Sequence, residues 1–387
     1  MPHARGIAVL ALIGAAACRR DATAPRGGGL NGVVLTATVP MPANYGIHDT
    51  FVRDGIAFVC VWNSGVQIYD VGNGIAGGSP ASPAPISTII TTGGEAHNAW
   101  WFWNPNTGEK KYLFVGQEGP GTIGSTSSGD IHVVDVSDLS RPREVGAFHL
   151  TGAGTHNFWM DEQRQILYAA YYHAGVASLD VSGTLAGDLS ARGIDTIAPG
   201  DSGNTYTWSV HQAGGSLYAI DMLSGLWRLG DSLGHLRVAG GGNNVPARYS
   251  SDLWIQGTYA YTGTWDWSRR TGKPGSVLNV WSLDSIAGPT LVDTIDVANV
   301  AAVSDVEVSP DDKLLMFSTE GGAAGAAGFY FYSLADPARP AYLAQYDVDT
   351  GIHTATFGTI GGRLYAFGAK NPGYPALIIL DVSALDR

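Results

Sequence analysis

Four of the ten histidines lie in short segments that share one pattern. The segments are GIHDTF at 46–51, EAHNAW at 95–100, GTHNFW at 154–159 and GIHTAT at 351–356, which place His48, His97, His156 and His353 in equivalent positions. Imidazole nitrogens bind transition metals, and imidazoles exchange protons near neutral pH. If the fold brings these positions together, the four side chains form one ligand-binding or metal site.

Carboxylates and a further imidazole follow in the same parts of the chain. Glu118 and His173 end apolar, strand-like runs that come after such segments, and Glu320 ends the equivalent run of a later repeat. Imidazoles and carboxylates together bind zinc, copper, iron or manganese. The candidate metal ligands are therefore His97, His156, His173, His353, Glu118 and Glu320. The cofactor is otherwise unknown, and a divalent transition metal is possible.

An aromatic segment, TGTWDWSRRTGKPG at 262–275, offers a different kind of site. Its rings could stack on a glycan or anchor a protein partner, so Trp265, Asp266 and Trp267 join the four histidines as candidate ligand-binding residues. The alternative is that these rings pack between structural units, as we expect for Trp100 and its neighbours in AWWFW.

A purely structural role for the histidines is also open. The residues that follow the repeated position are polar, and such pairs can hydrogen-bond the backbone where neighbouring units meet. No Ser-His-Asp arrangement that would support a nucleophilic serine can be proposed from these segments. The Gly-rich EGGAAGAAG at 320–328 has no Lys-Ser/Thr ending, so it is not a phosphate-binding loop. Whether the protein is an enzyme is uncertain, and these patterns favour binding.

The composition indicates which elements must position these residues. The 387 residues are 45% apolar and 14% charged, with 53 glycines and 19 prolines. Such a chain favours many short strands joined by tight turns, which is an all-β composition. The net charge of −12 argues against a nucleic-acid partner, because phosphate binding needs clustered Lys and Arg.

The chain repeats with a step of about 51 residues, near the period of propeller blades. The repeated position, here called the ring position, is occupied in turn by His48, His97, His156, Trp208, Ser251, Ser304 and His353. The spacing predicts a seven-bladed β-propeller of four-stranded antiparallel blades over residues 32–387. The leading strand at 32–40 should close the last blade, and the ring positions should surround one mouth of the central channel.

The first residues are typical of an export signal. Residues 1–17 have a short basic start and an apolar run too short to span a bilayer. Ala15, Ala16 and Ala17 before Cys18 resemble a bacterial lipoprotein signal, so we expect Cys18 to carry lipid and residues 18–31 to form a flexible linker. The alternative is plain signal-peptide cleavage, because the lipoprotein pattern usually has Leu where this chain has Ala15. The protein is then exported to the cell envelope, and its only membrane contact is the anchor.

One segment also resembles a known family. IHVVDVSDLSRPREVGAF at 131–148 is similar to the LVIVD repeat of bacterial secreted proteins, ASLDVSG and IILDVSA match in part, and units five and six depart from the pattern. The resemblance implies an exported β-propeller but no particular chemistry. We therefore expect a propeller that binds an unknown small molecule, glycan or protein at a His-rich mouth. The alternative is a metal-dependent hydrolase, lactonase or oxidoreductase.

Overall fold

The computed structural model describes residues 18–21, 32–42, 46–119, 129–150, 152–200, 205–265, 270–371 and 374–385. Residues 1–17, Asp266 and Trp267 lie outside these ranges. The described part is almost wholly β, as predicted, with two short 3-10 helices at Ser190–Arg192 and Arg270–Gly272. It contains no helix long and apolar enough to cross a membrane.

The strands of the first part of the chain form antiparallel meanders, each of which corresponds to one sequence repeat and is called a unit. Two strands come before unit 1, β1 (Cys18–Asp21) and β2 (Val34–Pro40). Unit 1 contains β3 (Asp49–Arg53), β4 (Ile56–Cys60), β5 (Val66–Asp70) and β6 (Ala84–Ile89). Unit 2 contains β7 (Ala96–Trp101), β8 (Tyr112–Gln117), β9 (Ile131–Asp135) and β10 (Arg143–Phe148). Unit 3 contains β11 (Phe158–Asp161), β12 (Ile166–Ala170), β13 (Val176–Asp180), the short β14 (Gly187–Asp188) and β15 (Gly193–Ile197).

The same pattern continues to the end of the chain. Unit 4 contains β16 (Thr207–Ala213), β17 (Ser216–Asp221), β18 (Gly225–Ser232) and β19 (His235–Gly241). Unit 5 contains β20 (Tyr249–Gln256), β21 (Tyr259–Trp265), β22 (Val277–Ser282) and β23 (Thr290–Asp296). Unit 6 contains β24 (Ala302–Val308), β25 (Leu314–Glu320), β26 (Gly328–Ser333) and β27 (Ala341–Asp347). Unit 7 contains β28 (Thr354–Ile360), β29 (Arg363–Lys370) and β30 (Ala376–Asp381).

Four pairings depart from a simple meander in the described residues. Strand β1 lies parallel to β23, β14 lies parallel to β10, and β21 meets β24 of the next unit at one antiparallel position, with Thr264 opposite Val303. Unit 7 obtains its fourth strand from the other end of the chain, because β2 pairs antiparallel with β30, with Val34 opposite Asp381 and Pro40 opposite Ala376. The predicted pairing between the leading strand and the last unit is thus present.

The second strand of each unit explains the apolar runs in the sequence. Every residue of β4, β8 and β12 is buried, whereas residues of the outer strand β6 are exposed or half-buried. A strand that is covered on both faces reads as a continuous apolar run instead of an alternating one. The second strands therefore lie inside the stack of sheets.

The core is divided among the contacts between units. Within the described residues, seven apolar clusters each join consecutive units. One of them joins the last unit to the first, with Val59 of β4 in the same cluster as Phe367 of β29 and Leu377 of β30. Each sheet thus packs on the next, and the last sheet packs on the first.

A truncation tests the contribution of β2. A chain that lacks residues 31–40 should melt at a lower temperature and aggregate on heating, because loss of β2 exposes the edge of β30. Light scattering and thermal melting of this chain should be compared with a chain that lacks residues 1–30 and so retains β2. Equal melting temperatures for the two truncated chains would show that β2 does not stabilise unit 7.

Candidate functional site

The four repeated histidines form one contiguous group, here called the histidine cluster. The ring centroids of His48 and His97 are 3.8 Å apart, and those of His97 and His156 are 4.3 Å apart. The ring of His353 lies on the other side of His48, with the two ring centroids 4.3 Å apart. All four side chains are buried. Residues more than 300 positions apart in sequence are thus in contact, as the repeat predicted.

Aromatic rings complete a circuit around this cluster. Trp208, which occupies the ring position of unit 4, lies 4.1 Å from His156 between centroids, and Trp265 lies 5.4 Å from Trp208. Trp265 is in turn 5.8 Å from His353. Trp62 faces the edge of His48 at 5.0 Å. The cluster therefore has an apolar wall that includes Trp265, which the sequence analysis had assigned to a different kind of site.

The first strand of each unit is here called its inner strand. Local irregularities in several inner strands direct these side chains. The pairing register shifts between Ala96 and Asn98 in unit 2, and between Thr207 and Ser209 in unit 4. Units 5 and 6 have equivalent shifts, between Ser250 and Leu253 and between Val303 and Val306. A bulge breaks strict alternation and can re-aim a side chain. The ring residue and the residue after it can then both lie near the centre.

Glu118 brings a carboxylate to the cluster. One ring nitrogen of His48, one ring nitrogen of His97 and one carboxylate oxygen of Glu118 all lie within 4.8 Å of one another. The distance from His97 Nε2 to Glu118 Oε2 is 3.9 Å. The hydroxyl of Tyr172 donates a hydrogen bond to the other oxygen, Glu118 Oε1. The sequence had placed Glu118 in the metal set but had left His48 out of it.

Glu320 brings a second carboxylate, on the far side of His353. Its Oε1 lies 2.6 Å from His353 Nδ1 and also accepts a hydrogen bond of 2.6 Å from the hydroxyl of Ser304. The other imidazole nitrogen, His353 Nε2, is 3.0 Å from His48 Nε2. Glu320 therefore orients His353 so that its second ring nitrogen, Nε2, faces His48.

Several nitrogens of the cluster lack partners. Among the described residues neither ring nitrogen of His97 has a hydrogen-bond partner, and Nδ1 of His48 and of His156 also has none. His97 is only 1% exposed. A buried polar group without a partner typically costs about 1–3 kcal/mol. Such a cost is explained if the nitrogens contact a bound species.

Burial keeps most of the cluster uncharged. Burial, reinforced by the neighbouring imidazoles, holds the pKa values of His48, His97 and His156 well below the usual histidine value. Burial also opposes the charged form of His353, but the adjacent Glu320 carboxylate outweighs it and raises that pKa. Burial raises the pKa of Glu118 to about 7. Three neutral imidazoles thus offer lone pairs at neutral pH, the form that binds metal.

Other residues proposed from sequence lie elsewhere. The exposed ring of His173 packs against Tyr206, at 4.9 Å between centroids. Strand β12 ends at Ala170, and the positive backbone angle φ of 40° at Tyr172 turns the chain before His173 is reached. Among the described residues, His173 is therefore not in contact with the histidine cluster.

The residues after the ring positions hold neighbouring units together. Asp252 Oδ2 accepts a hydrogen bond of 3.2 Å from the backbone N–H of Val306, in the inner strand of the next unit. Asp305 Oδ2 accepts one of 2.7 Å from the N–H of Ala355 in the unit after that. The structural role considered for the repeated segments is thus performed by these carboxylates, which with Asp49 we call the carboxylate layer.

Sequence reasoning missed a third layer, two residues further along each inner strand. It is an arc of rings from successive units, here called the aromatic arc: Phe51, Trp100, Trp159, His211 and Trp254. Centroids of Phe51 and Trp100 are 5.3 Å apart, those of Trp100 and Trp159 5.7 Å, and those of His211 and Trp254 4.9 Å. Trp100 therefore does not simply pack between units, whereas Trp101 does, against Phe58 at 5.3 Å. Counting three residues from each ring position would have revealed the arc.

Comparison with known proteins agrees with the sequence pattern. The LVIVD repeat model matches residues 126–149 and 247–268, so the chain carries two recognisable LVIVD repeats. The first match covers the segment that suggested the family. The second falls on unit 5, which we had described as departing from the pattern, and that expectation was wrong. None of the curated proteins matches the chain.

Solved structures identify the architecture. The chain is similar to the WD40 β-propeller domain of Doa1, with a TM-score of 0.61 over 90% of this chain and 97% of that chain. The sequences are 8% identical, so the likeness concerns the fold alone. The protein is therefore an all-β chain with a WD40-like propeller fold and LVIVD repeats.

Glu307 allows a test of how burial affects the centre of the fold. It follows Asp305 by two residues and accepts a hydrogen bond of 3.1 Å from the N–H of Phe357, and burial raises its pKa to about 8. The folded protein therefore keeps a proton that the unfolded chain releases near pH 4.5. The contribution of Glu307 to the free energy of unfolding is complete below pH 4.5 and is lost as the pH rises to about 8.

We expect Glu307→Gln to remove this dependence, because glutamine stays neutral and can still accept the bond from Phe357. Relative to the parent, the free energy of unfolding of the variant should increase by about 1 kcal/mol or more between pH 4.5 and pH 8.5. Denaturant titrations at both pH values measure the difference. Parallel pH profiles for the two proteins would contradict it.

Proposed function

We propose that the protein is an exported seven-bladed β-propeller that binds a divalent transition-metal ion at its histidine cluster and presents it to a ligand. The observation that carries the proposal is His97, which is buried with both ring nitrogens unpartnered among the described residues, beside His48 and Glu118. A bound metal gives the lone pair of one His97 nitrogen a partner.

The seven-bladed arrangement rests on the packing of the units. Seven apolar clusters join consecutive units in the described residues, and the one shared by Val59 and Phe367 joins the last to the first. Strand β2 supplies the fourth strand of the last unit. Both features support a closed ring of seven four-stranded blades, with the ring positions around one mouth.

The donor set suits a transition metal better than calcium or magnesium. His48, His97 and Glu118 supply two imidazoles and one carboxylate, and His353 lies beside His48 as a further imidazole. Nitrogen donors favour zinc, copper, iron or nickel, whereas calcium and magnesium require oxygen. Tyr172 holds the Glu118 carboxylate, and Glu320 holds His353, as partners of metal ligands commonly do.

The alternative is metal-dependent catalysis, as a hydrolase, lactonase or oxidoreductase. The number of ligands favours it: three protein side chains leave one position of a tetrahedral metal for water or substrate, as in catalytic zinc sites. The indole rings of Trp62, Trp208 and Trp265 would form the wall against which a small molecule or glycan binds.

Metal analysis tests the proposal directly. The purified chain, expressed with zinc, copper, iron and manganese supplied, should contain about one equivalent of metal. His97→Asn and Glu118→Gln should each retain less than about one tenth of it, because loss of a ligand or its support typically weakens binding 10–100-fold or more. His173→Asn is the matched control and should bind metal as the parent does, since His173 is exposed and away from the cluster.

Stability separates a metal site from a structural cluster. Metal should raise the melting temperature of the parent, corresponding to about 2.7 kcal/mol at a hundredfold excess over Kd, and should leave His97→Asn unchanged. If the histidines only join units, single Ala substitutions of His48, His97, His156 and His353 should each cost about 1–3 kcal/mol in metal-free protein. That loss in all four variants, with no metal in the parent, would rule out the metal site.

Export and anchoring are a separate part of the proposal, resting on residues 1–18. The basic start, apolar run and Ala-Ala-Ala before Cys18 support cleavage and lipidation at that cysteine. The parent expressed in a bacterial host should partition into the detergent phase, whereas Cys18→Ala should move to the aqueous phase. Cys60→Ala, a change at the buried free cysteine, is the control. A Cys18→Ala protein that remains in the detergent phase would exclude the lipid.

A further inference from the structure

A cavity lies along the inner strands beyond the histidine cluster. Its volume is about 120 Å³, and its lining includes the carboxylate layer and the aromatic arc but none of His48, His97, His156 and His353. A water molecule needs roughly 10–15 Å³ of such space, so the cavity has room for a small organic molecule. The histidine cluster does not account for this space.

One side of the cavity is aromatic. The rings of Trp100, Trp159 and Trp254 are half-buried, and Trp159 and Trp254 approach each other to 6.0 Å between centroids across unit 4. Between them lies the imidazole of His211, 3.7 Å from Trp159, only 5% exposed and without a hydrogen-bond partner on either nitrogen among the described residues. These rings form a concave surface with a polar group that has no partner in the described part of the chain.

The other side of the cavity is acidic. Asp252, Asp305 and Glu307 line it, and no Lys or Arg is among those lining residues that the structure describes. Burial and the nearby Asp252 carboxyl raise the pKa of Asp305 well above its usual value, which shows how closely the acids are crowded. A positive charge placed here would relieve their repulsion.

We propose that this cavity binds a small organic ammonium cation. The faces of aromatic rings attract ammonium groups, and carboxylates accept their N–H bonds, so the two walls together match one class of ligand. An inorganic cation fits less well, because indole rings offer it no oxygen ligand. The cavity is distinct from the proposed metal site and does not depend on it.

Calorimetry with defined probes tests the inference. The full chain, in amine-free buffer at pH 8, is titrated with methylammonium and tetramethylammonium chloride, with calcium and potassium chloride as comparison ions. We expect saturable binding of at least one ammonium probe. Trp159→Leu and Trp254→Leu should each weaken it about 5-fold or more, the order expected for loss of a desolvated cation–π contact. Glu307→Gln should also weaken it.

Matched variants make the result specific. Tyr374→Leu removes an exposed ring elsewhere on the protein and should leave ammonium binding unchanged. His97→Asn should also leave it unchanged, so failure of the metal proposal would not count against this one. If Trp159→Leu does not fold, Trp159→Phe keeps a ring face and should bind more weakly than the parent but measurably.

Three results would overturn the inference. The first is the absence of binding by every ammonium probe in folded parent protein. The second is ammonium binding that Trp159→Leu and Trp254→Leu leave unchanged. The third is tighter binding of calcium than of either ammonium probe, with loss in Glu307→Gln alone, which would make the cavity an inorganic cation site.

Discussion

The centre of this fold is governed by the unpaired edge of each inner strand. A strand at the inner end of a sheet has hydrogen-bond partners on one side only, and its remaining N–H groups still need acceptors. Asp252, Asp305 and Glu307 meet this need for the following unit, through bonds to Val306, Ala355 and Phe357. The constraint thus requires polar, acidic side chains in a buried place, and it crowds acidic groups at the centre of the fold.

Other chemistry is arranged around these bonds in layers. On the inner strands, the ring position comes one residue before the position of the carboxylate layer, and four ring positions form the histidine cluster. The position two residues after the carboxylate layer contributes to the aromatic arc. Each inner strand therefore contributes to three environments within a few residues. Repetition of a short segment can in this way build both a polar centre and an aromatic wall, although any single segment, such as GTHNFW, contains only one residue of each.

Much of this could be read from the sequence because it repeats. The step of about 51 residues and the shared pattern placed His48 and His353 together, and the missing outer strand of the last unit indicated its partner at the start of the chain. The local backbone conformation could not be predicted from the sequence. The bulges that let neighbouring residues both approach the centre, and the left-handed turn at Tyr172 that removes His173, depend on pairing register and φ angles. Alternation alone gives no sign of either, and so the aromatic arc and the role of His48 beside Glu118 were missed.

The pairing of β2 with β30 has a consequence for how the molecule forms. Its contacts join segments about 340 residues apart, so their formation requires a long loop to close before any contact is gained. The earlier units can pack on their neighbours in the order of synthesis, but the first long strand has no partner until the last unit exists. Folding therefore ends where translation began, and a nascent chain carries an unpaired N-terminal strand until its C-terminal residues are available.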